Sequence, residues 1–354
     1  MAKKEMTRAG ILFLLVLLHS GCARREPVNE PVSERVMLDV GDHEVYLEIS
    51  GQSRDAPLVL FLHGGPGSVA HLAMFQVTVG RQLEQDFLVA YLHQRGTGKS
   101  SPVPDSEQTI SAHIDDLVKV VDYLTERYGQ DKVHLVGHSW GGMLAGHFAV
   151  SHAENIEKLV LISTAVNVKS LLRDSHEAAL KWAQEKDIPQ AVTELTALDQ
   201  SYDTVQHFGT VLGWANQAGG TAGDFDMESF LESHNINTDY PNWREQQGSI
   251  NSAMMQQVLE IDLSGSFSSL DIPALFVSGA LDTIVTETTM RRDHDNYRGK
   301  KSFVLLEESH HLPFIDQPDE LAQAVRTFLS ESYKRLPGST VESDLNPGTR
   351  RRSK

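Results

Sequence analysis

The stretch VHLVGHSWGG, residues 133–142, decides the fold of this chain. Its first four residues form a short apolar run that is typical of a buried strand, and the pattern G-x-S-x-G follows without a break. A helical segment then begins at the serine, Ser139. Glycines at a sharp strand-to-helix turn allow the serine a strained conformation, in which its hydroxyl is exposed at the edge of a sheet. We therefore predict that Ser139 is a nucleophile.

The sequence also offers a base and an acid for this nucleophile. A serine hydroxyl reacts poorly until a base accepts its proton, and His310 and His311 both follow a strand-like run at 302–306. Asp282 follows another strand-like run at 273–278, and it is the candidate acid that orients the imidazole and stabilises its charged form. The interval between Asp282 and the histidines leaves room for one helix and one strand.

A glycine-rich loop early in the chain is suited to stabilising negative charge. His63-Gly64-Gly65-Pro66-Gly67 directly follows the strand-like run 57–62, and glycines let a backbone approach a developing oxyanion closely. Two backbone N–H donors are needed. We predict that Trp140, the residue after the nucleophile, supplies one of them, and that Gly65 supplies the other, with Gly64 as the alternative.

Eight short apolar runs predict the strands of a single sheet. Most are continuous rather than alternating, which indicates strands covered on both faces, as in a parallel sheet. The first two alternate and lie close together, so they predict an antiparallel hairpin. Helical patterns separate the later strands, as in Ser111–Tyr128 with Ser111 as its cap, and this alternation indicates an α/β fold. The predicted strands are Arg35–Val40, Glu44–Ile49, Pro57–Leu62, Phe87–Leu92, Lys132–Val136, Lys158–Ser163, Pro273–Ser278 and Ser302–Leu306.

The alternation of strands and helices is interrupted in the second half of the chain. Residues 166–269 are more helical and contain three of the four tryptophans, Trp182, Trp214 and Trp243. We interpret this segment as a helical cap inserted into a core that comprises residues 35–165 and 270–335.

The first 22 residues have the layout of an export signal. Lys3, Lys4 and Arg8 precede the apolar run Ala9–Leu18, and small residues lead to Cys22. The segment ending in this cysteine resembles a bacterial lipobox, which predicts lipidation of Cys22. An ordinary cleaved signal is the alternative. An uncleaved anchor is less favoured, because the run is about half of the roughly 20 residues needed to span a bilayer.

The two polar ends of the chain flank the predicted folded part. Residues 23–34 contain two prolines and suit an extended tether, and residues 336–354 lack apolar periodicity and are predicted to be a disordered tail. Together with the lipobox, the tether predicts an exported protein of the bacterial cell envelope, anchored to the membrane by an N-terminal lipid.

Composition excludes several classes of site. Lys and Arg number 31 against 48 Asp and Glu, a formal net charge of −17, so nucleic acid is not an expected partner. Cys22 is the only cysteine, which rules out an intrachain disulfide and a cysteine-based zinc site. The sixteen histidines show no HExxH or comparable spacing, so neither a metal nor another cofactor is expected.

Four motifs together resemble the prolyl iminopeptidase group of α/β hydrolases. They are HGGPG at 63–67, QRGTGKS at 94–100, GHSWGG at 137–142 and HLPF at 311–314. The resemblance implies an α/β-hydrolase fold, with a mostly parallel central sheet and a helical cap, and a serine aminopeptidase that releases N-terminal proline or a small residue from peptides. It also selects His311 over His310, because the family motif H-x-P-F begins at His311.

Two departures from that family leave other functions open. His93 stands where the family has an aspartate, and the family's cap pattern of glutamates, which binds the substrate's free amine, has no recognisable match. Glu194, Glu228 and Glu232 are the available acids. One alternative is a carboxylesterase, acting on an ester rather than a small peptide, or a C–C bond hydrolase with the same triad. A non-catalytic surface lipoprotein that serves as a binding module is another.

Overall fold

A computed structural model describes residues 30–222, 225–236 and 254–331, and it contains one eight-stranded sheet. The strand order is β1-β2-β4-β3-β5-β6-β7-β8. The β1–β2 and β2–β4 pairs are antiparallel and the remaining pairs are parallel, so the predicted hairpin and the mostly parallel sheet are confirmed. The strands are β1 Val32–Asp39, β2 Glu44–Gly51, β3 Leu58–Leu62, β4 Leu88–His93, β5 Val133–His138, β6 Ile156–Ile162, β7 Ala274–Gly279 and β8 Lys301–Leu306.

The continuous apolar strands are buried because helices cover both faces of the sheet. Every residue of β3, β4, β5 and β7 is buried. Successive residues of a strand point to opposite faces, so Leu60 belongs to one hydrophobic cluster and Phe61 to the other. The helices of the core are α1 Val69–Phe75, α2 Ile110–Tyr128, α3 Trp140–Ser151, α9 Glu287–Asn296, α10 Pro313–Asp316 and α11 Pro318–Ser330.

Helix α2 corrects one detail of the sequence analysis. The predicted cap was Ser111, but the helix begins at Ile110 and Thr109 caps it. Thr109 has an extended backbone, with φ −126° and ψ 153°, and its hydroxyl accepts a hydrogen bond from the N–H of Ala112. A cap needs this non-helical backbone, whereas Ser111 already lies inside the helix.

The helical segments between β6 and β7 lie where the sequence analysis placed an insertion. The chain leaves and re-enters the core at adjacent points, because Leu263 N donates to Val166 O and Val168 N donates to Ile261 O. Residues 254–259 are also helical. The helices named in this region are α4 Val168–Glu185, α5 Pro189–Thr196, α6 Val205–Ala215, α7 Met227–Ser233 and α8 Ser264–Phe267.

Of the predicted boundaries near the chain ends, the described residues include only the end of the tether and the start of β1. The predicted tether, residues 23–34, extends too far, because Val32 already pairs with Gly51 at the start of β1. The export signal, Cys22, Trp243 and the tail at 336–354 lie outside the described residues, so lipidation of Cys22 stays a prediction. Within the described ranges, no helix combines the length and the apolar character needed to cross a membrane.

Candidate active site

Ser139 occupies the sharp turn between β5 and α3. Its backbone has φ 52° and ψ −121°, a conformation that residues other than glycine rarely adopt. The surrounding chain holds it there, because Ser139 N donates to Ile162 O at 2.9 Å and the Thr164 hydroxyl donates to Ser139 O at 2.7 Å. Bonds on both sides of the residue therefore maintain the strained turn.

Crowding explains the three glycines around this serine. A Cβ at Gly137 would lie 2.5 Å from Gly141 O, and one at Gly141 would lie 2.1 Å from Leu62 O. A Cβ at Gly142 would lie 2.6 Å from the Cβ of Thr164. These distances are too short for any side chain, so the pattern G-x-S-x-G-G records how closely β3, β5 and α3 approach at the turn.

His311 lies within hydrogen-bond distance of the serine. Its Nε2 is 3.0 Å from Ser139 Oγ, and the imidazole is buried. The loop after β8 that carries His311, the base loop, is bonded to the cap through its backbone: His311 N donates to Gly220 O at 2.9 Å, and Leu312 N donates to Thr221 O at 3.0 Å. The base loop and the cap therefore hold each other in register.

Asp282 completes a continuous line of hydrogen bonds. Its Oδ2 is 2.9 Å from His311 Nδ1, and its side chain has no exposed surface. The other oxygen, Oδ1, accepts hydrogen bonds from the N–H groups of Ile284 and Val285, both at 2.8 Å. With the carboxylate fixed in this way, His311 carries its proton on Nδ1 and presents the lone pair of Nε2 to Ser139.

Two further histidines near the site, His310 and His138, have different partners. His310 Nδ1 lies 3.2 Å from Asp316 Oδ2, and the same oxygen accepts a hydrogen bond from His310 N at 2.7 Å. His138 Nε2 donates to His311 O at 2.8 Å, and burial holds the pKa of His138 well below its ordinary value. His138 therefore stays neutral behind the base, and the hydrogen-bonded line to Ser139 runs through His311 rather than His310.

The predicted oxyanion loop lies beside the nucleophile turn. Gly65 has φ 129°, and a Cβ there would lie 2.4 Å from Gly67 N. A Cβ at Gly64 would lie 2.8 Å from His138 Nδ1, so this loop packs directly against the residue before the nucleophile. Trp140 is the first residue of α3, where backbone N–H groups have no partner within the helix. Donation by Gly65 and Trp140 to an oxyanion stays a prediction.

This arrangement of sheet, turn and loops has known relatives. A sequence profile of the alpha/beta hydrolase fold matches residues 57–318. The chain belongs to the α/β-hydrolase fold family. The predicted fold is thus confirmed, and the match supports hydrolase chemistry.

Individual relatives of this α/β hydrolase include peptidases and an esterase. A probable aminopeptidase of Bacillus subtilis, YbaC, is 24% identical over 325 residues, which cover 84% of this chain and 97% of the relative. The proline iminopeptidase of Lactobacillus delbrueckii subsp. lactis is 26% identical over 296 residues, covering 79% and 92%. The structure of an esterase from Exiguobacterium antarcticum superposes with a TM-score of 0.57 at 20% identity, covering 83% of this chain and 98% of the esterase.

The QRGTGKS segment of this α/β hydrolase braces the core beside the site. Arg95 donates to both carboxylate oxygens of Asp116, at 3.0 and 2.9 Å, and also contacts Asp42. Among the described residues, Asp42, His43 and Asp116 could together reach a metal ion. The Arg95 guanidinium already bonds to both carboxylates, so this cluster is better suited to holding an arginine than a metal ion. Arg95 therefore braces this loop, and both of its carboxylate partners lie in the core rather than in the cap.

His93 fills the place of the family's aspartate as a buried, neutral residue. Burial lowers its pKa to about 3, and its Nδ1 accepts a hydrogen bond from Lys99 N at 3.2 Å. The hydroxyl of Ser100 donates to His93 O at 2.6 Å. Gly98, with φ 56°, must lack a side chain, because a Cβ there would lie 2.2 Å from His93 Nδ1. His93 therefore anchors this loop through one ring nitrogen and through its backbone carbonyl.

The candidate glutamates of the cap are not brought to the triad. Glu194 accepts hydrogen bonds from Trp214 Nε1 at 2.8 Å and from Gln190 at 2.9 Å, on an exposed surface of α5. Glu228 and Glu232 are exposed on α7. In the described part of the chain, no hydrogen bond joins any of the three to the triad. Their predicted role in substrate binding therefore gains no support from these contacts.

Proposed function

We propose that this α/β hydrolase acts through an acyl-enzyme formed on Ser139. The observation that carries the proposal is the line of hydrogen bonds from Ser139 Oγ through His311 to Asp282, with links of 3.0 and 2.9 Å. In the first step, Oγ attacks the substrate carbonyl carbon while His311 Nε2 accepts the hydroxyl proton. The negative charge on the carbonyl oxygen is stabilised by the N–H groups of Gly65 and Trp140.

Collapse of this tetrahedral intermediate completes acylation. The bond to the leaving group breaks, and the leaving amine or alcohol takes the proton from His311. A water molecule then attacks the ester on Ser139 and gives its proton to His311. The second collapse releases the acid and returns that proton to Ser139 Oγ. Asp282 remains ionised throughout and stabilises the imidazolium each time it forms.

We propose that the substrates are peptides with an N-terminal proline or another small residue. The support comes from the four motifs shared with prolyl iminopeptidases and from the relatives named as a probable aminopeptidase and a proline iminopeptidase. Each of those two relatives is matched over more than nine-tenths of its own length. The shared region thus includes the cap as well as the core.

Carboxylester hydrolysis is the second candidate, with C–C bond hydrolysis as a further use of the same triad. One observation favours it: Glu194, an acid available to bind a substrate amine, already bonds to Trp214 and Gln190. An ester needs no carboxylate for an amine. The esterase of similar fold is compatible with this alternative, although its likeness extends to the fold alone.

Three kinds of substrate and one variant separate these possibilities. Release of p-nitroaniline from prolyl-p-nitroanilide is expected to exceed that from the N-acetylated analogue, which lacks the free amine. Turnover of short p-nitrophenyl esters alone would replace the peptidase proposal by the esterase one. Ser139→Ala is expected to abolish both activities and labelling by a fluorophosphonate probe. A wild-type protein that is neither labelled nor active would favour a non-catalytic binding module.

We also propose that the protein is held at the bacterial cell envelope by a lipid on Cys22. The support is the sequence alone: a basic head, a short apolar run and the only cysteine of the chain at the end of that run. Incorporation of an alkyne-labelled fatty acid into the wild type, and none into Cys22→Ser, is the expected result. Equal labelling of the two would refute lipidation.

A further inference from the structure

Gln94 joins the two chain segments that flank the predicted oxyanion site. Its amide Nε2 donates to His63 O at 2.9 Å, at the start of the HGGPG loop. Its amide Oε1 accepts a hydrogen bond from Trp140 Nε1 at 3.0 Å. Gln94 is only 1% exposed, so water does not compete for either bond. One side chain therefore bridges the loop after β3 and the first residue of α3.

Neighbouring hydrogen bonds fix the backbone of Gln94, which carries this amide. Thr97 bonds to Gln94 O through both its N–H and its hydroxyl, at 3.0 and 2.7 Å. On the other side, His63 Nδ1 donates to Gly64 O at 2.9 Å, and burial lowers the pKa of His63 to about 4. His63 is therefore neutral, with one defined orientation. The bridge thus connects rigid segments at both of its ends.

The distance between these segments matters for the chemistry. An oxyanion is stabilised when its donors lie about 2.7–3.1 Å from the position the charge will occupy, and a small misplacement weakens the effect. The two predicted donors, Gly65 N and Trp140 N, belong to different segments. Gly65 N directly follows the carbonyl of Gly64, which is bonded to the His63 ring. Trp140 N belongs to the residue whose indole N–H is bonded to Gln94.

We propose that Gln94 is a positioning residue that sets the separation of the two oxyanion donors. This inference rests on the proposed acyl-enzyme function, because it assigns Gln94 to the stabilisation of that reaction's tetrahedral intermediate. Gln94 touches neither the substrate nor the triad in this role. Its loss leaves the ground-state complex unchanged and weakens only the interactions that form as the carbonyl oxygen gains charge.

A second glutamine provides a matched control. Gln130 makes the same kind of bridge at the opposite end of β3: its Oε1 accepts from Leu58 N at 3.1 Å, and its Nε2 donates to Ala56 O at 2.8 Å. Met is close in size to Gln and makes neither bond. Gln94→Met and Gln130→Met therefore each remove two side-chain hydrogen bonds, one variant beyond each end of β3, but only Gln94→Met does so at the site.

The test compares these variants on the substrate that the wild type turns over. For Gln94→Met we expect kcat to fall about 10- to 100-fold, less than the loss of a whole donor, with KM within about threefold. Affinity for a boronic acid, which forms a tetrahedral adduct with Ser139, should fall by the same factor. Gln130→Met should leave kcat and boronate affinity unchanged, whatever it does to the unfolding temperature.

Trp140→Phe removes the indole N–H from the other side of the bridge and keeps the proposal falsifiable if Gln94→Met does not fold. We expect it to lower kcat in the same way, and the double variant to lose less than the product of the two single effects. Unchanged kcat in Gln94→Met or in Trp140→Phe, or a rise in KM alone, would overturn the proposal. Failure of the acyl-enzyme itself is distinguished by the wild type, which would then not be labelled by a fluorophosphonate.

Discussion

Replacement of Asp282 by Asn tests the triad most directly, because the surrounding loop dictates how the new amide must lie. Oδ1 accepts two backbone N–H groups, from Ile284 and Val285, at 2.8 Å each. An amide nitrogen in that position would lose both bonds and face two donors, at a cost of at least about 2 kcal/mol. The amide oxygen therefore takes the place of Oδ1, and the NH2 group turns toward His311.

This orientation reverses the role of the imidazole. The amide donates to His311 Nδ1, which must then carry the lone pair, so the ring proton moves to Nε2. Nε2 lies 3.0 Å from Ser139 Oγ and can no longer accept the hydroxyl proton. In a triad, the same exchange costs about 10⁴ in kcat, which corresponds to about 5.5 kcal/mol of transition-state stabilisation. We expect a loss of about 10³- to 10⁴-fold here.

The rate of labelling by a fluorophosphonate measures this loss without knowledge of the natural substrate. Asp282→Asn keeps both loop bonds, so its unfolding free energy should stay within about 1 kcal/mol of the wild type. Asp282→Ala is the control, because it leaves buried N–H groups unpaired and should cost about 3 kcal/mol or more. Labelling of Asp282→Asn at more than a tenth of the wild-type rate would show that Asp282 does not orient the base.

Three further predictions, one of them with a control substitution, concern the scaffold. Gly141→Ala should lower the unfolding free energy, measured in urea, by about 3 kcal/mol or more, because its Cβ would lie 2.1 Å from the carbonyl oxygen of Leu62 in β3. Gly209→Ala is the control: Gly209 lies in open space on α6, so this substitution should not lower the unfolding free energy. Arg95→Met should cost about 3–5 kcal/mol by removing the guanidinium from the buried Asp116 carboxylate, which keeps only the His43 ring at 3.3 Å; a loss below about 1 kcal/mol would contradict the bracing role of Arg95. Burial raises the pKa of Asp293 to about 7. Between about pH 4 and 7 the folded state therefore binds a proton that the unfolded state has lost, and the contribution of Asp293 to the unfolding free energy falls as the pH rises. In Asp293→Asn the amide oxygen can still accept the hydrogen bond from Val166 N, at the start of the cap. The substitution should therefore raise the unfolding temperature at pH 8, by an amount that shrinks toward pH 4. An equal gain at both pH values would refute this explanation.

Local patterns predicted most of the core because each reports on a local requirement. Most of the eight strands are continuous apolar runs, and buried parallel strands need little more than that. The turn at Ser139 was predictable because Gly137, Gly141 and Gly142 lie within three residues of the serine in sequence, although two of them are crowded by the distant residues Leu62 and Thr164. The start of α2 was missed because Ser111 and Thr109 are both good caps, and only the backbone conformation distinguishes them.

Contacts between distant segments were not predictable in this way. His310 and His311 are adjacent, and spacing alone left both as candidate bases. Only the family motif distinguished them before the structure showed His310 paired with Asp316. The bridge through Gln94 was missed as well, although its motif was recognised, because His63 and Trp140 are far from it in sequence. The visible signal was a polar residue directly after a fully buried strand, where an amide must find partners.

The cap segment 215–221 is bonded directly to the loops that carry the base and the acid. Gly220 and Thr221 accept hydrogen bonds from the two residues of the base loop, His311 and Leu312, and the hydroxyl of Thr283, beside the triad acid, donates to Ala215 O. A shift of this cap segment would therefore move the imidazole of His311 relative to Ser139. Substitutions that displace this segment should then lower kcat, although none of its residues belongs to the triad.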